Sequence, residues 1–290
     1  MSLTLGISTC PNDTYIFSAL VEGRVPLPGE FGLLNTRFAD VEELNSMARK
    51  GVLDVTKLSV AAVADVLDEY VVLNSGGALG RGYGPLLVAP RATRVEELRH
   101  ATIAIPGART TANTLLSLHG AFEGPREELV FDEIVPALED GAYAAGVIIH
   151  ESRFSYAKHG LSLVLDLGAW WEEATGAPIP LGVIAAKRSL GDDAICRIDA
   201  LIRASLIYAN ANPLAGKTFI RSYAQEMDDS ILAQHIAAFV NEFSLDLGAE
   251  GREAVRRLVT RAAELRGTPL PDKPLFAPST PPVLSGPLPA

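Results

Sequence analysis

The order of apolar and polar positions divides the chain into short strands that alternate with helices. Residues 3–8 alternate in hydrophobicity, the period of a half-buried strand. Thr9-Cys10-Pro11-Asn12-Asp13-Thr14 follows, with Pro11 ending the strand and three good N-cap residues ahead of a helical run at 15–22. A second strand is predicted at 31–38. Asp40 then opens a helix through Ala48, with Val41, Leu44 and Ala48 on one face and Asn45 as a solvated mid-helix residue. Further strands are predicted at 53–56, 70–73, 86–89, 102–105, 130–131, 143–149, 161–165 and 183–186. Helices are predicted at 60–67, 95–98, 134–139, 195–206, 229–240 and 250–265, and one more opens at Thr110. Between 75 and 85 lie five glycines, without the GK[ST] ending of a phosphate loop, so this stretch predicts a close approach of backbones. Beyond residue 268 stand eight of the 19 prolines, which bars a helix or a central strand there. The start of that segment is expected to lie along the body and its end to form a flexible tail.

Four strand ends carry polar groups: 9–13, 57–59, 106–111 and 150–153. In open α/β sheets, ligands bind beyond the carboxyl ends of strands. At the last of the four, the apolar run Gly146-Val147-Ile148-Ile149 stops at His150, whose imidazole titrates near neutral pH and can serve as a base. A histidine that only ends the strand is the plainer alternative. Glu151 can orient His150 or face solvent, and the sequence does not choose. Thr110, Thr111 and Asn113 open a helix whose free N–H groups suit a carboxylate or phosphate, and equally suit ordinary capping. Ser59 can cap the next helix or bond a ligand, with capping the simpler reading. His119 is expected at a helix C-terminus, and His235 on a surface or groove. Trp170 and Trp171 fit core packing, or an aromatic pocket.

Composition narrows the partners. A net charge of −10 argues against nucleic acid and anionic membrane, both of which need surplus Lys and Arg. Two cysteines, Cys10 and Cys196, give no disulfide framework and no zinc spacing, so no metal is expected. The first residues show no basic segment followed by an apolar core, which points to the cytoplasm. A length of 290 residues accommodates two domains.

Two apolar runs, near 84–90 and 178–187, echo one another and are suited to crossing between domains. They predict a discontinuous larger lobe, 1–88 with 185–290, and an inserted smaller lobe, 89–184, with a cleft between. This is the layout of an α/β, two-lobed periplasmic-binding-protein-like (type II) fold.

Seven ordered blocks carry a resemblance: STCPNDTYIFSAL, DVTKLS, NSGGALGRGYGPLLVA, PGARTTA, GVIIHESRF, DLGAWWEEATG and PIPLG, with VNEFSLDLG further on. They resemble the 1,4-dihydroxy-6-naphthoate synthase family of the futalosine route to menaquinone, and only the proline-rich tail falls outside. The resemblance implies a binding-protein-like fold used as an enzyme, a carbon–carbon lyase without metal or organic cofactor. It implies cleavage of cyclic dehypoxanthine futalosine to 1,4-dihydroxy-6-naphthoate. The family's base falls on His150, and its ligand-contacting residues on Asn45, Lys57, Leu58, Ser59, Thr110 and Thr111. The expected partner is a small carboxylate. The alternatives are a related enzyme of the same pathway and fold, a non-catalytic solute-binding protein and a cytoplasmic ligand-sensing domain.

Overall fold

The structure, a computed structural model, describes residues 2–224 and 228–278. Residues 3–80 build most of one sheet. Strand β1 (Leu3–Ser8) leads into helix α1 (Pro11–Val21), then β2 (Leu34–Ala39), α2 (Val41–Arg49) and β3 (Val55–Ser59). A 3₁₀ turn (Val60–Asp65), β4 (Tyr70–Val72) and β5 (Ala78–Gly80) complete this stretch. The chain then changes sheet. Strands β6 (Leu86–Ala89), β7 (Ile103–Ile105), β8 (Arg126–Glu128), β9 (Ala145–Ile148) and β10 (Ser162–Asp166) make the second. Between them lie α3 (Thr111–His119), α4 (Ile134–Glu139) and the short α5 (Ser152–Ser155). After α6 (Leu167–Thr175), β11 (Ile179–Lys187) returns to the first sheet. The remainder is helical: α7 (Asp192–Ala211), α8 (Lys217–Tyr223), α9 (Asp229–Phe239), α10 (Glu242–Leu245) and α11 (Gly248–Arg266).

The first sheet has the order β2-β1-β3-β11-β4, with β5 also pairing β11. Its β1, β2 and β3 are parallel, and β11 runs antiparallel to β3, β4 and β5. The second sheet has the order β10-β6-β9-β7-β8. There β7, β8 and β9 are parallel and β6 is antiparallel to β9 and β10. The changes of sheet fall in 81–85 and 167–178. At the first, Gly84 lies against Gly168 so closely that a Cβ would meet Gly168 Cα at 2.5 Å, the close approach the glycine-rich stretch predicts.

Burial follows the helical period. On α7, Ile195, Ile198, Ile202 and Leu206 are buried against the first sheet, each worth about 1.5–3 kcal/mol of apolar transfer. On α11, Ala254, Val255, Leu258, Val259 and Ala262 do the same against the 60–65 turn and the strands beside it. Phe276 bridges Val72 in parallel, and the Arg252 and Arg256 guanidiniums lie 5.3 and 5.6 Å from its ring centroid. The start of the proline-rich segment therefore lies along the body; the tail expected beyond it lies outside the described residues.

Several boundaries differ from expectation for physical reasons. Helix α1 begins at Pro11, whose missing N–H costs nothing at the first helical position. Cys10 is the N-cap, so Asn12, Asp13 and Thr14 are buried first-turn residues rather than caps. The strand expected from residue 31 starts at Leu34, after a 3₁₀ turn at Gly29–Phe31. The strand expected at 130–131 is β8 instead, an edge strand whose charged residues give no apolar signal. The helix expected at 60–67 is the 3₁₀ turn.

Candidate active site

An open cavity lies where the polar strand ends of the two sheets meet. Ser8, Cys10, Asn12 and Asp13 enter it from the end of β1 and the start of α1, and Lys57 and Ser59 from β3. The second sheet supplies Thr110 and Thr111 at the start of α3, and Ile149 and His150 past β9. Leu181 and Gly182 of β11 and His235 of α9 complete much of the wall.

The floor is a buried charge pair. Lys57 Nζ lies 2.5 Å from Asp13 Oδ1, with 6% and 1% of the side chains exposed. The same carboxylate accepts from Ser8 Oγ at 2.5 Å and Asn12 Nδ2 at 2.9 Å. An ion this deep is tolerated only when paired and hydrogen-bonded. Gly182 faces the lysine stem: a Cβ there would come within 2.6 Å of Lys57 Cε, so β11 leaves the lysine room to lie flat.

His150 has φ 56°, the only non-glycine residue at positive φ among those described. This left-handed turn lifts the imidazole off the line of β9 and into the cavity. Cys10 Sγ is 3.0 Å from its Nδ1, and the Phe131 ring packs edge-on at 4.7 Å between centroids. Burial first, and then the Lys57 charge, lower its pKa to about 3. The ring is therefore neutral at physiological pH, with burial and the lysine charge both resisting its protonation.

Glu151, left open by the sequence, reaches toward a second histidine. It is buried, with Oε2 4.0 Å from Nδ1 of His235. His235 belongs to the site and not to the surface: it is 1% exposed, and its Nε2 donates to Asn12 Oδ1 at 3.0 Å. Burial pushes its pKa well down, with His150 and Lys57 adding to the effect.

Behind Ser59 stands Asn45, fully buried and not solvated as mid-helix position suggests. Its Oδ1 accepts from Ser59 N at 3.0 Å, and its Nδ2 donates to Ser59 Oγ at 3.1 Å and Glu42 Oε2 at 3.0 Å. Glu42 Oε1 in turn accepts from Arg109 N at 3.3 Å, joining α2 to the loop of the second sheet. Burial raises the Glu42 pKa to about 7. Ser59 thus holds a helix-start position, but its hydroxyl makes no cap bond.

Thr110 is the N-cap of α3, accepting from Asn113 N at 3.2 Å and donating to Gly107 O at 2.7 Å. Thr111 Oγ1 donates to Leu181 O at 2.9 Å, a second tie between sheets. A third runs from Arg109 Nε to Asp65 Oδ2, 3.2 Å apart. With both hydroxyls engaged, the recognition capacity of this rim lies in the free N–H groups at the start of α3.

The structure therefore gathers His150, Lys57, Ser59, Thr110 and Thr111 on one cavity. Asn45 lies one layer behind, and Leu58 does not line it. Alternation along β3 sends Leu58 into the core, fully buried, while Lys57 and Ser59 face the cleft. Arg153 holds the 82–84 loop, donating to Gly82 O at 3.0 Å and pairing with Asp166 at 2.9 Å. Trp171 is core, its Nε1 donating to Pro178 O at 3.3 Å; Trp170 packs edge-on against His119 at the end of α3. Neither tryptophan lines the cavity. Among the described residues, no group of three or more His, Cys, Asp or Glu is placed to hold a metal ion, and no helix is long and apolar enough to cross a membrane.

The cavity, then, offers a neutral imidazole, a buried cation and a helix start suited to an anion. Comparison with known proteins bears on what it is for. The profile of a family described as menaquinone biosynthesis matches residues 3–264. The chain is 49% identical over 276 residues to the 1,4-dihydroxy-6-naphthoate synthase of Thermus thermophilus, covering 95% of this chain and 99% of that protein. It is 46% identical over 268 residues to the protein of the same name from Streptomyces coelicolor, covering 90% and 93%. A solved structure from Archaeoglobus fulgidus superimposes with a TM-score of 0.84 at 31% identity, covering 92% of this chain and 98% of that one. The alkanesulfonate-binding protein SsuA of Xanthomonas axonopodis superimposes at 0.69 with 12% identity, covering 92% and 94%. That last likeness bears on fold alone, and it bears out the two-lobed binding-protein-like expectation.

Proposed function

The chain belongs to the menaquinone-biosynthesis family, and on that premise we propose that it is a 1,4-dihydroxy-6-naphthoate synthase. The observation that carries this reading is His150, a neutral imidazole turned into a cavity floored by Lys57. The substrate in this reading is cyclic dehypoxanthine futalosine. Its carboxylate faces the start of α3 and Ser59, where free N–H groups and a positive dipole end favour an anion. His150 removes a proton, and a carbon–carbon bond then breaks on the way to the aromatic product. Lys57 places positive charge where negative charge develops, inside a cavity of low polarity where it counts for more than in water. The protein's own side chains carry the reaction, as a cofactor-independent lyase of the cytoplasm. The lobe built on the first sheet and the lobe built on the second close over the substrate and align it.

Incubation of the purified protein with cyclic dehypoxanthine futalosine, with products identified by mass, tests the reading. Release of 1,4-dihydroxy-6-naphthoate is expected. Tight binding without that product would replace the enzyme by a binding protein for a small carboxylate.

A further inference from the structure

In the proposed reading one carboxylate is met from two sides. Ser59 ends β3 of the first sheet, and Thr110 caps α3, beyond β7 of the second. Groups carried by different sheets meet one ligand well only if their spacing is fixed. Asn45 settles the Ser59 side. Ser59 N can only donate, so the amide oxygen of Asn45 faces it at 3.0 Å and the amide nitrogen faces Ser59 Oγ at 3.1 Å. That hydroxyl accepts from Asn45, which leaves its own proton for an acceptor in the cavity that Ser59 lines.

Glu42 carries this arrangement across to the second sheet. Its Oε2 accepts from Asn45 Nδ2 at 3.0 Å, and its Oε1 from Arg109 N at 3.3 Å, one residue ahead of Thr110. Gly107 brings the loop close enough: it has φ 140°, and a Cβ there would meet Glu42 Cγ at 2.5 Å. The ties from Thr111 to Leu181 and from Arg109 to Asp65 do not involve Ser59. Glu42 itself does not line the cavity, so its part is played through the groups it holds.

We propose that Glu42 is a positioning residue for the substrate carboxylate. Its two oxygens hold Ser59, through Asn45, and the start of α3, through Arg109 N, in one register, so that both halves of the rim face the same anion. The inference rests on the reading of that rim as the carboxylate site. It requires two acceptors at this position. Glutamine has nearly the same shape but one acceptor and one donor. It sets an amide N–H against the N–H of Asn45 or of Arg109 and keeps only one of the two links. The negative charge of Glu42 works in the opposite direction, against an anion in the cavity. Alignment and charge thus predict opposite outcomes for the same substitution.

Calorimetric titration at about pH 8, above the Glu42 value of about 7, compares 1,4-dihydroxy-6-naphthoate with 1,4-dihydroxynaphthalene, which has the same rings and no carboxylate. The wild-type protein is expected to prefer the naphthoate. In Glu42→Gln its Kd is expected to rise about tenfold, while that of the dihydroxynaphthalene holds. KM for the substrate is expected to rise with it, with kcat unchanged. Gly107→Ala, which pushes the loop off the Glu42 stem and leaves both oxygens in place, is expected to give the same selective loss. Tighter naphthoate binding in Glu42→Gln, an unchanged preference, or a loss shared equally by both ligands overturns the proposal. A wild-type protein with no preference for the naphthoate removes the carboxylate site itself, and the proposal with it. Selective loss in a protein that does not turn over cyclic dehypoxanthine futalosine sinks the proposed function and leaves the role of Glu42 standing.

Discussion

Lys57 Nζ and Asp13 Oδ1 lie 2.5 Å apart in the floor of the cavity, and neither side chain is more than 6% exposed. Removing one partner leaves the other as an uncompensated buried charge. Lys57→Met and Asp13→Asn are each expected to destabilise the protein by about 3–5 kcal/mol. Urea unfolding of the two single variants and the double variant checks this. The double variant is expected to lose less than the sum, because it strands no charge.

His150→Asn separates chemistry from backbone. Asparagine tolerates the left-handed conformation that His150 adopts at φ 56°, whereas alanine does not. Turnover is expected to fall by about 10²–10⁴-fold while the melting temperature holds. Wild-type rates in this variant would remove His150 from the mechanism.

The two buried histidines make stability depend on acid. Burial lowers His150 to about 3 and His235 well below its ordinary value. Below the unfolded value of about 6.5, the unfolded chain binds protons that the folded chain refuses. Stability is thus whole above about 6.5 and is lost as pH falls from there toward about 3. Melting temperatures recorded on the way down are expected to drop more slowly for His235→Gln than for the wild-type protein.

Glu42 acts in the opposite sense. Its pKa is raised from 4.5 to about 7, chiefly by burial. Between those values the folded protein keeps a proton that the unfolded chain releases, so stability falls as pH rises through that window. Relative to Glu42→Gln, the wild-type protein is expected to lose stability from about pH 5 to about pH 7.5. A pH-independent difference between the two in denaturant titrations would show that the carboxyl is not held protonated.

Much of this architecture was legible because apolar period and burial coincide. Strands such as Leu3–Ser8 and Leu86–Ala89, and the inner face of α7, needed no tertiary information. Edge strand β8 was not legible, since an edge built from Arg126, Glu127 and Glu128 has nothing apolar to show. In the site, His150 announced itself by ending an apolar strand. Asn45 did not: its helical position looks solvated, and only the packing of α2 on β3 reveals that its amide holds Ser59. His235 reaches Asn12 across 223 positions of sequence, a distance over which local pattern carries no signal. Cys10 stood in plain view within a turn motif, but capping chemistry explained that motif sufficiently without it.

Strand β11 has a consequence for how the protein is made. β3 and β4 are not neighbours; both pair with β11, and β5 does as well. All strands of the second sheet have been synthesised by Asp166, whereas the first sheet cannot close until Lys187 has emerged. On a ribosome the inserted sheet is therefore complete while its host still carries open edges. Such long-range pairing is slow and leaves strands able to pair with other chains. The strand that shapes the cavity wall at Leu181 and Gly182 is also the one whose arrival ends that exposure.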